Sequence, residues 1–224
     1  PMAYSYLPFD NEAPQASTVT SRSDWGLKAT DFVYASFNTL AKWDSKTFAS
    51  WCNILRQVPD SVLWVPDQSE FAKARILKVA NAHGVSPSRF VWAPRTEDKE
   101  AHLERLRHAD VVLDTPKYNG HCSTVDALSV GVPVVATLGE TFATRVAASA
   151  LSAAGMDELS APDPMTYQAL AITLGVDPGF YRTIRTELEG LRSLAPLFDT
   201  EHYCRQLEYA FARIIHRHNA GFGG

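Results

Sequence analysis

In YNGHCSTVDAL, residues 118–128, a glycine, a histidine and several small polar side chains follow the apolar run ADVVLDTP and precede SVGVPVVAT. If a strand ends near Leu113 and a helix starts inside this stretch, Ser123 and Thr124 stand at a helix N-terminus. There the first N–H groups lack intrahelical partners, and the positive end of the helix dipole attracts anions. A diphosphate suits such a place. Gly120 permits close backbone approach, the hydroxyls add donors, and Asp126, one turn further on, can accept hydrogen bonds from ribose hydroxyls. The same residues also spell S-x-x-D, a variant of the capping box that many helices use with no ligand. On pattern alone both readings stand.

Two further groups carry charge suited to the same chemistry. Lys42, in SFNTLAKWD, follows the first apolar run and can neutralise phosphate; its alternative is a solvated surface lysine. In RTEDKEAHLERLRHAD, Lys99, His102 and Arg105 recur at spacing three, on one face of one helix, where they could stack on and hydrogen-bond a base. The competing reading is an exposed charged face with Glu97, Glu100 and Glu104 as ion-pair partners.

The elements that must position these residues are legible in the apolar rhythm. DFVYASF (31–37), SVLWVP (61–66), RFVWAP (89–94), DVVLDTP (110–116) and VPVVAT (132–137) are short β-branched and aromatic runs bounded by Pro, Gly or Asp, as in buried parallel strands. Helical patterns lie between them. Phe48, Trp51, Cys52 and Leu55 share one face, and Asp67 with Glu70 predicts a capping box for a helix that Gly84 ends. The alternation predicts an α/β, Rossmann-like doubly wound parallel sheet, with a ligand crevice beyond the carboxyl ends of its strands. In the last third, Asp163-Pro164 and Asp177-Pro178 each place an N-cap before a first-turn proline. Tyr203, Leu207, Phe211 and Ile214 form one stripe on a final helix, predicted to pack with its neighbours over the sheet.

Composition narrows the function classes. The 224 residues are 46% hydrophobic and 21% charged, enough for a real core. A net charge of −4 with scattered basic residues argues against nucleic acid as a partner. No apolar run reaches the roughly 20 residues of a membrane span, and no signal peptide opens the chain, so a cytoplasmic protein is expected. The three cysteines, Cys52, Cys122 and Cys204, are far apart, and His83, His108, His202, His216 and His218 do not cluster, so no metal is expected. Neither G-x-G-x-x-G nor the Walker phosphate loop is present. Residues 1–24 read as a linker or strap, 25–218 as the ligand-binding unit and 219–224 as a frayed tail. The opening Pro1-Met2 reads as the start of a piece of something longer.

Taken in order, TSRSDWGL, YASFNTLAKWD, SVLWVP, ADVVLDTPKYNGHCSTVDAL, GVPVVATLGETFATRVAASAL and APLFDTEHY closely resemble the C-terminal catalytic lobe of the O-linked N-acetylglucosamine transferase family. The match runs from about Thr20 nearly to the end, and its longest blocks are ungapped. The resemblance implies the C-terminal lobe of a two-lobed glycosyltransferase B (GT-B) fold. It implies UDP-N-acetylglucosamine as donor, serine or threonine of a protein as acceptor, inversion at the anomeric carbon, and no metal or other cofactor. By the same resemblance Lys42 faces the diphosphate together with His121, Cys122 and Ser123. Lys99, His102 and Arg105 hold the uridine, with His102 stacked on uracil, and Asp126 binds ribose.

The chain departs from the family at several points. Thr39 stands where the family commonly has glutamine, and Cys122 where it has threonine. The loop between Pro94 and Lys99 is one residue longer, which leaves Thr96 as the candidate for the backbone contact to uracil. The family's candidate base and acceptor-binding histidines belong to the N-terminal lobe, and its helical repeats lie further upstream, so turnover is expected only together with that lobe. Thr39 and Cys122 keep open a GDP-fucose or an asparagine-directed hexosyl transferase. A non-catalytic sugar-nucleotide-binding or scaffold module is the alternative of a different class. A nucleotide-sugar epimerase would need carboxylates around the sugar, and no suitable pair stands at the predicted strand ends.

Overall fold

A computed structural model describes residues 5–9 and 19–221. Much of the expected strap, residues 1–4 and 10–18, and residues 222–224 of the expected tail lie outside them.

Six strands form one parallel sheet: β1 (Phe32–Ala35), β2 (Ser61–Pro66), β3 (Phe90–Ala93), β4 (Val111–Leu113), β5 (Val134–Thr137) and β6 (Ser160–Ala161). Their spatial order is β3-β2-β1-β4-β5-β6. The five expected strands are present; β6, two residues long, gave too short an apolar run to be read. β1 pairs with β2 and with β4, the latter through Tyr34 opposite Val111 and Ala35 opposite Val112. The chain therefore winds outward from β1 to β3, returns to β4 beside β1, and winds outward again. Right-handed crossovers then place the connecting helices on opposite faces, and a crevice opens between the carboxyl ends of β1 and β4.

The connections are α1 (Ser45–Gln57), α2 (Glu70–Ala82), α3 (Lys99–Leu106), α4 (Cys122–Ser129) and α5 (Val146–Ala153). α1 buries Phe48, Trp51, Cys52 and Leu55, the expected face. α2 ends as its pattern predicts, with Gly84 at φ 75°, but its cap is not Asp67. Asp67 N–H donates to the Ala93 carbonyl at 2.8 Å, continuing the β2–β3 ladder, so the chain turns into the helix only after Ser69. Ser69 Oγ accepts from Ala72 N–H, and Asp67 pairs with Lys73 Nζ at 2.7 Å.

Three helices follow: α6 (Pro164–Val176), α7 (Pro178–Leu191) and α8 (Thr200–Asn219). Asp163 and Asp177 cap the first two, each carboxylate accepting two backbone N–H groups. α6 packs on α1 and over β4 to β6. Tyr167 of α6 is buried, accepts a hydrogen bond from Trp51 Nε1 at 3.0 Å and donates to the Asp114 carbonyl at 2.9 Å. The end of β4 is thus tied to two helices. α8 departs from expectation. It buries no residue, and while Tyr203 and Leu207 are half-buried, Phe211 and Ile214 are exposed. The turn Pro196–Phe198 packs against α8, and Thr200 and Tyr203 of its first turns hydrogen-bond the Phe9 and Tyr6 carbonyls.

Candidate functional site

Beyond the carboxyl end of β1 the chain makes a one-turn helix, Leu40–Lys42, closed by the Thr39 carbonyl accepting Lys42 N–H at 2.9 Å. This turn carries Lys42 back over the crevice. Its ammonium donates to Asn119 O at 2.8 Å and to Asn38 Oδ1 at 3.1 Å, and it lies 4.5 Å from the centroid of the Tyr118 ring. An ammonium has three N–H donors, so two are engaged and one remains. Burial lowers the Lys42 pKa, and the nearby Asp114 and Cys122 oppose that shift.

Beyond β4 the loop Asp114–Gly120 leads into α4, whose N-cap is His121 with no side-chain cap hydrogen bond. The S-x-x-D box is therefore not formed. Ser123 lies inside the first turn and its hydroxyl donates to Asn38 Oδ1 at 3.4 Å, while the N–H groups of Cys122 and Ser123 have no partner among the described residues. This is the unpaired helix start that favours an anion. A Cβ on Gly120 would stand 2.6 Å from Ser123 Oγ, 2.8 Å from Thr124 Oγ1 and 3.1 Å from Asp114 Oδ1, so only glycine fits. The His121 ring stacks on Tyr118 at 5.4 Å, and its Nδ1 shares a 2.6 Å hydrogen bond with Tyr6 OH. Burial and then Lys42 lower the His121 pKa, which favours the neutral imidazole.

One turn along α4, Asp126 is buried and meets Lys99 Nζ at 3.2 Å, which joins α4 to the start of α3. Burial raises the Asp126 pKa and Lys99 opposes it. The exposed-face reading of α3 fails at Arg105, which is buried. Its guanidinium lies 4.3 Å over Phe37, donates to Pro94 O at 2.7 Å and donates to His102 Nδ1 at 3.1 Å. Because Nδ1 accepts, the neutral His102 ring carries its proton on Nε2. Burial first, then Arg105 and Lys99, bring the His102 pKa down to about 4. Glu104, offered above as an ion-pair partner, serves Arg107 and Thr20 N–H instead.

The structure thus gathers Lys42, His121, Cys122 and Ser123 in one cluster and Lys99, His102, Arg105 and Asp126 in an adjoining one. Thr39 and Cys122 are exposed, and Thr96 is half-buried in the loop before α3. The Thr39 and Thr96 side chains make no hydrogen bond among the described residues; the inward side chain of the β1 turn is Asn38, which is buried. Asn38, Asp114, Asn119 and Tyr118 escaped the sequence reading. Asp114 left a signal, a carboxylate directly after an all-apolar strand at the sheet's crevice end. Among the described residues no group of three or more His, Cys, Asp or Glu could hold a metal, and no helix is long and apolar enough to cross a membrane.

A family model for glycosyl transferase family 41 matches residues 7–207. The chain belongs to glycosyl transferase family 41. Within curated relatives it is 35% identical over 210 residues to the UDP-N-acetylglucosamine–peptide N-acetylglucosaminyltransferase of Caenorhabditis elegans, covering 94% of this chain and 18% of that protein. It is 35% identical over 201 residues to the probable UDP-N-acetylglucosamine–peptide N-acetylglucosaminyltransferase SEC of Arabidopsis thaliana, covering 89% of this chain and 20% of that one. Among solved structures it is similar to an O-GlcNAc transferase mutant of Thermobaculum terrenum, with a TM-score of 0.81 and 26% identity over 95% of this chain and 40% of that chain. The family 41 chain thus spans about a fifth of the curated relatives. Its doubly wound sheet is a Rossmann-like lobe of the GT-B type.

Proposed function

We propose that residues 25–218 form the nucleotide-sugar-binding lobe of an inverting protein O-GlcNAc transferase. The lobe binds the UDP part of UDP-N-acetylglucosamine, and the acceptor is a serine or threonine hydroxyl of a protein. One observation carries the reading: Lys42, from beyond β1, and Ser123, from the start of α4 beyond β4, meet on the same Asn38 Oδ1, at 3.1 and 3.4 Å. Two groups suited to an anion thereby face one place at the switch point of the sheet.

The chemistry follows from charge. As the acceptor hydroxyl attacks the anomeric carbon, the bond to the β-phosphate oxygen breaks and UDP departs with added negative charge. The remaining N–H of Lys42 and the free N–H groups at the start of α4 are already oriented, so they stabilise that charge without reorganisation. The adjoining cluster takes the nucleoside. A neutral His102 offers a flat ring to uracil, Arg105 fixes that ring through Nδ1, and Asp126 accepts from ribose. The attacking base and the acceptor site belong in this reading to an N-terminal lobe, and the chain alone binds UDP weakly and transfers no sugar.

Calorimetric titration of the 224-residue chain with UDP and with GDP tests the reading. UDP is expected to bind more tightly, because the wrong base leaves buried polar groups unpaired. Equal affinity, or preference for GDP, favours the fucosyl alternative, and sugar transfer by the isolated chain contradicts the division of labour between lobes.

A further inference from the structure

Asp114 takes no part in the roles given above, yet its carboxylate touches both halves of the anion cradle. It is 1% exposed at the end of β4. Its Oδ1 accepts Gly120 N–H at 2.6 Å and Asn38 Nδ2 at 3.3 Å, while Oδ2 is buried with no hydrogen-bond partner. The first contact sets the loop that delivers His121 and the start of α4. The second settles which way the Asn38 amide faces. With Nδ2 turned to Asp114, Oδ1 must face Lys42 Nζ and Ser123 Oγ, as it does at 3.1 and 3.4 Å. Turned the other way, Asn38 would set an oxygen against a carboxylate and an NH2 against an ammonium. Both are like-charge contacts, costly where water is excluded.

We propose that Asp114 is the positioning residue of the diphosphate site, aligning Lys42 and the start of α4 on one anion through Asn38 and Gly120. The inference rests on the nucleotide reading above. Asp114 reaches no substrate atom in this arrangement; it acts by fixing the two groups that do. Only one oxygen is needed for the task, so an uncharged isostere presenting one oxygen at the Oδ1 position serves as well. That requirement separates a positioning role from a purely electrostatic one.

UDP and uridine titrations of the 224-residue chain, each variant held well below its own unfolding temperature, decide the matter. Asp114→Ala and Asn38→Ala are each expected to weaken UDP about tenfold or more, the size of a lost hydrogen bond to a charged group. The double variant should lose clearly less than the product of the two single losses, because both break the shared Asn38 arm of one relay. Asp114→Asn, which keeps the oxygen, should stay within about threefold of wild type, and uridine affinity should hold in all four. Wild-type UDP binding by Asn38→Ala, losses that multiply in the double variant, or an equal loss for uridine each overturn the relay. If Asp114→Ala does not fold, the UDP and uridine affinities of Asn38→Ala and Asp114→Asn still uphold or overturn it. Lys42→Met runs alongside. If it leaves UDP affinity unchanged, the nucleotide reading falls and the relay with it; if it weakens UDP while Asn38→Ala does not, the relay alone falls.

Discussion

Lys42 Nζ lies 2.8 Å from the carbonyl oxygen of Asn119, a bond across 77 residues of sequence that closes the crevice between the β1 and β4 loops. Asn119 is itself buried, and its side chain donates to Thr115 O at 3.2 Å and accepts Ala147 N–H at 3.3 Å. The ammonium is therefore held by backbone and amide oxygens, with its charge not neutralised by a direct carboxylate contact among the described residues. Its strongest contacts leave the charge for a ligand.

Replacing Lys42 with methionine keeps the aliphatic stem and removes the charge. In an enzyme completed with its N-terminal lobe, transfer is expected to fall by about a hundredfold or more, the scale seen when one oriented donor to a developing oxyanion is lost. Steady-state kinetics read this directly. Because burial already penalises the ammonium, its removal offsets part of the cost of the two lost bonds; thermal unfolding should shift modestly, and a large drop in unfolding temperature would assign Lys42 to structure.

Gly120→Ala tests the close packing that the loop requires. Its new Cβ would fall 2.6 Å from Ser123 Oγ and 2.8 Å from Thr124 Oγ1. Chemical denaturation should show a loss of about 1–3 kcal/mol, the usual cost of overpacking. UDP affinity should fall as well, since the Ser123 hydroxyl must turn away from its place beside Asn38 to make room. A variant as stable and as tight as wild type would mean that the loop has room the geometry denies.

His102 should remain neutral through the physiological range. Its pKa is held at about 4, mainly by burial and then by Arg105 and Lys99. Because the folded value lies below the unfolded one, His102 contributes stability above about pH 6.5 that is lost as pH falls through the folded value. Imidazole resonances followed by NMR should titrate near the lower value, and a midpoint near 6.5 would place the ring in water. His108 and His121 also have pKa values lowered by burial, so assignments must separate the three rings.

Asp114 gives the opposite pH dependence. Burial pushes its pKa up to about 7, against the pull of Gly120 and Thr115 N–H groups, Lys42 and Asn38. A carboxyl raised in the folded state binds more protons there than when unfolded. Its contribution to stability is present below the unfolded value near 4 and is lost as pH rises through about 7. Asp114→Asn removes that titration. Subtracting its stability from wild type's across pH 4 to 8 should give a difference that falls with pH, and a flat difference would mean that Asp114 ionises as freely in the fold as out of it.

The apolar runs that became β1 to β5 were legible because burial on both faces of a parallel sheet demands continuous Val, Leu, Trp and Phe, and five such runs stand in the chain. Caps such as Asp163 and Asp177 were legible for the same local reason, since their partners lie two or three residues away. Asp67 misled because its N–H is claimed by Ala93, a neighbour visible only in the folded sheet. The stripe on α8 was legible as a stripe, but a pattern of apolar residues does not say what covers them, and here Phe211 and Ile214 stay exposed.

The candidate site divides along the same line. By itself the sequence determined the parallel α/β class, the start of α4 in YNGHCSTVDAL, and the shared helix face of Lys99, His102 and Arg105, because each depends on residues a few positions apart. Only the tertiary structure decided that β4 returns beside β1. That pairing lets Asp114 reach Asn38, Lys42 reach Asn119 and Lys99 reach Asp126. Strand order is fixed by which buried surfaces complement one another over the whole molecule, and no window of sequence contains that sum.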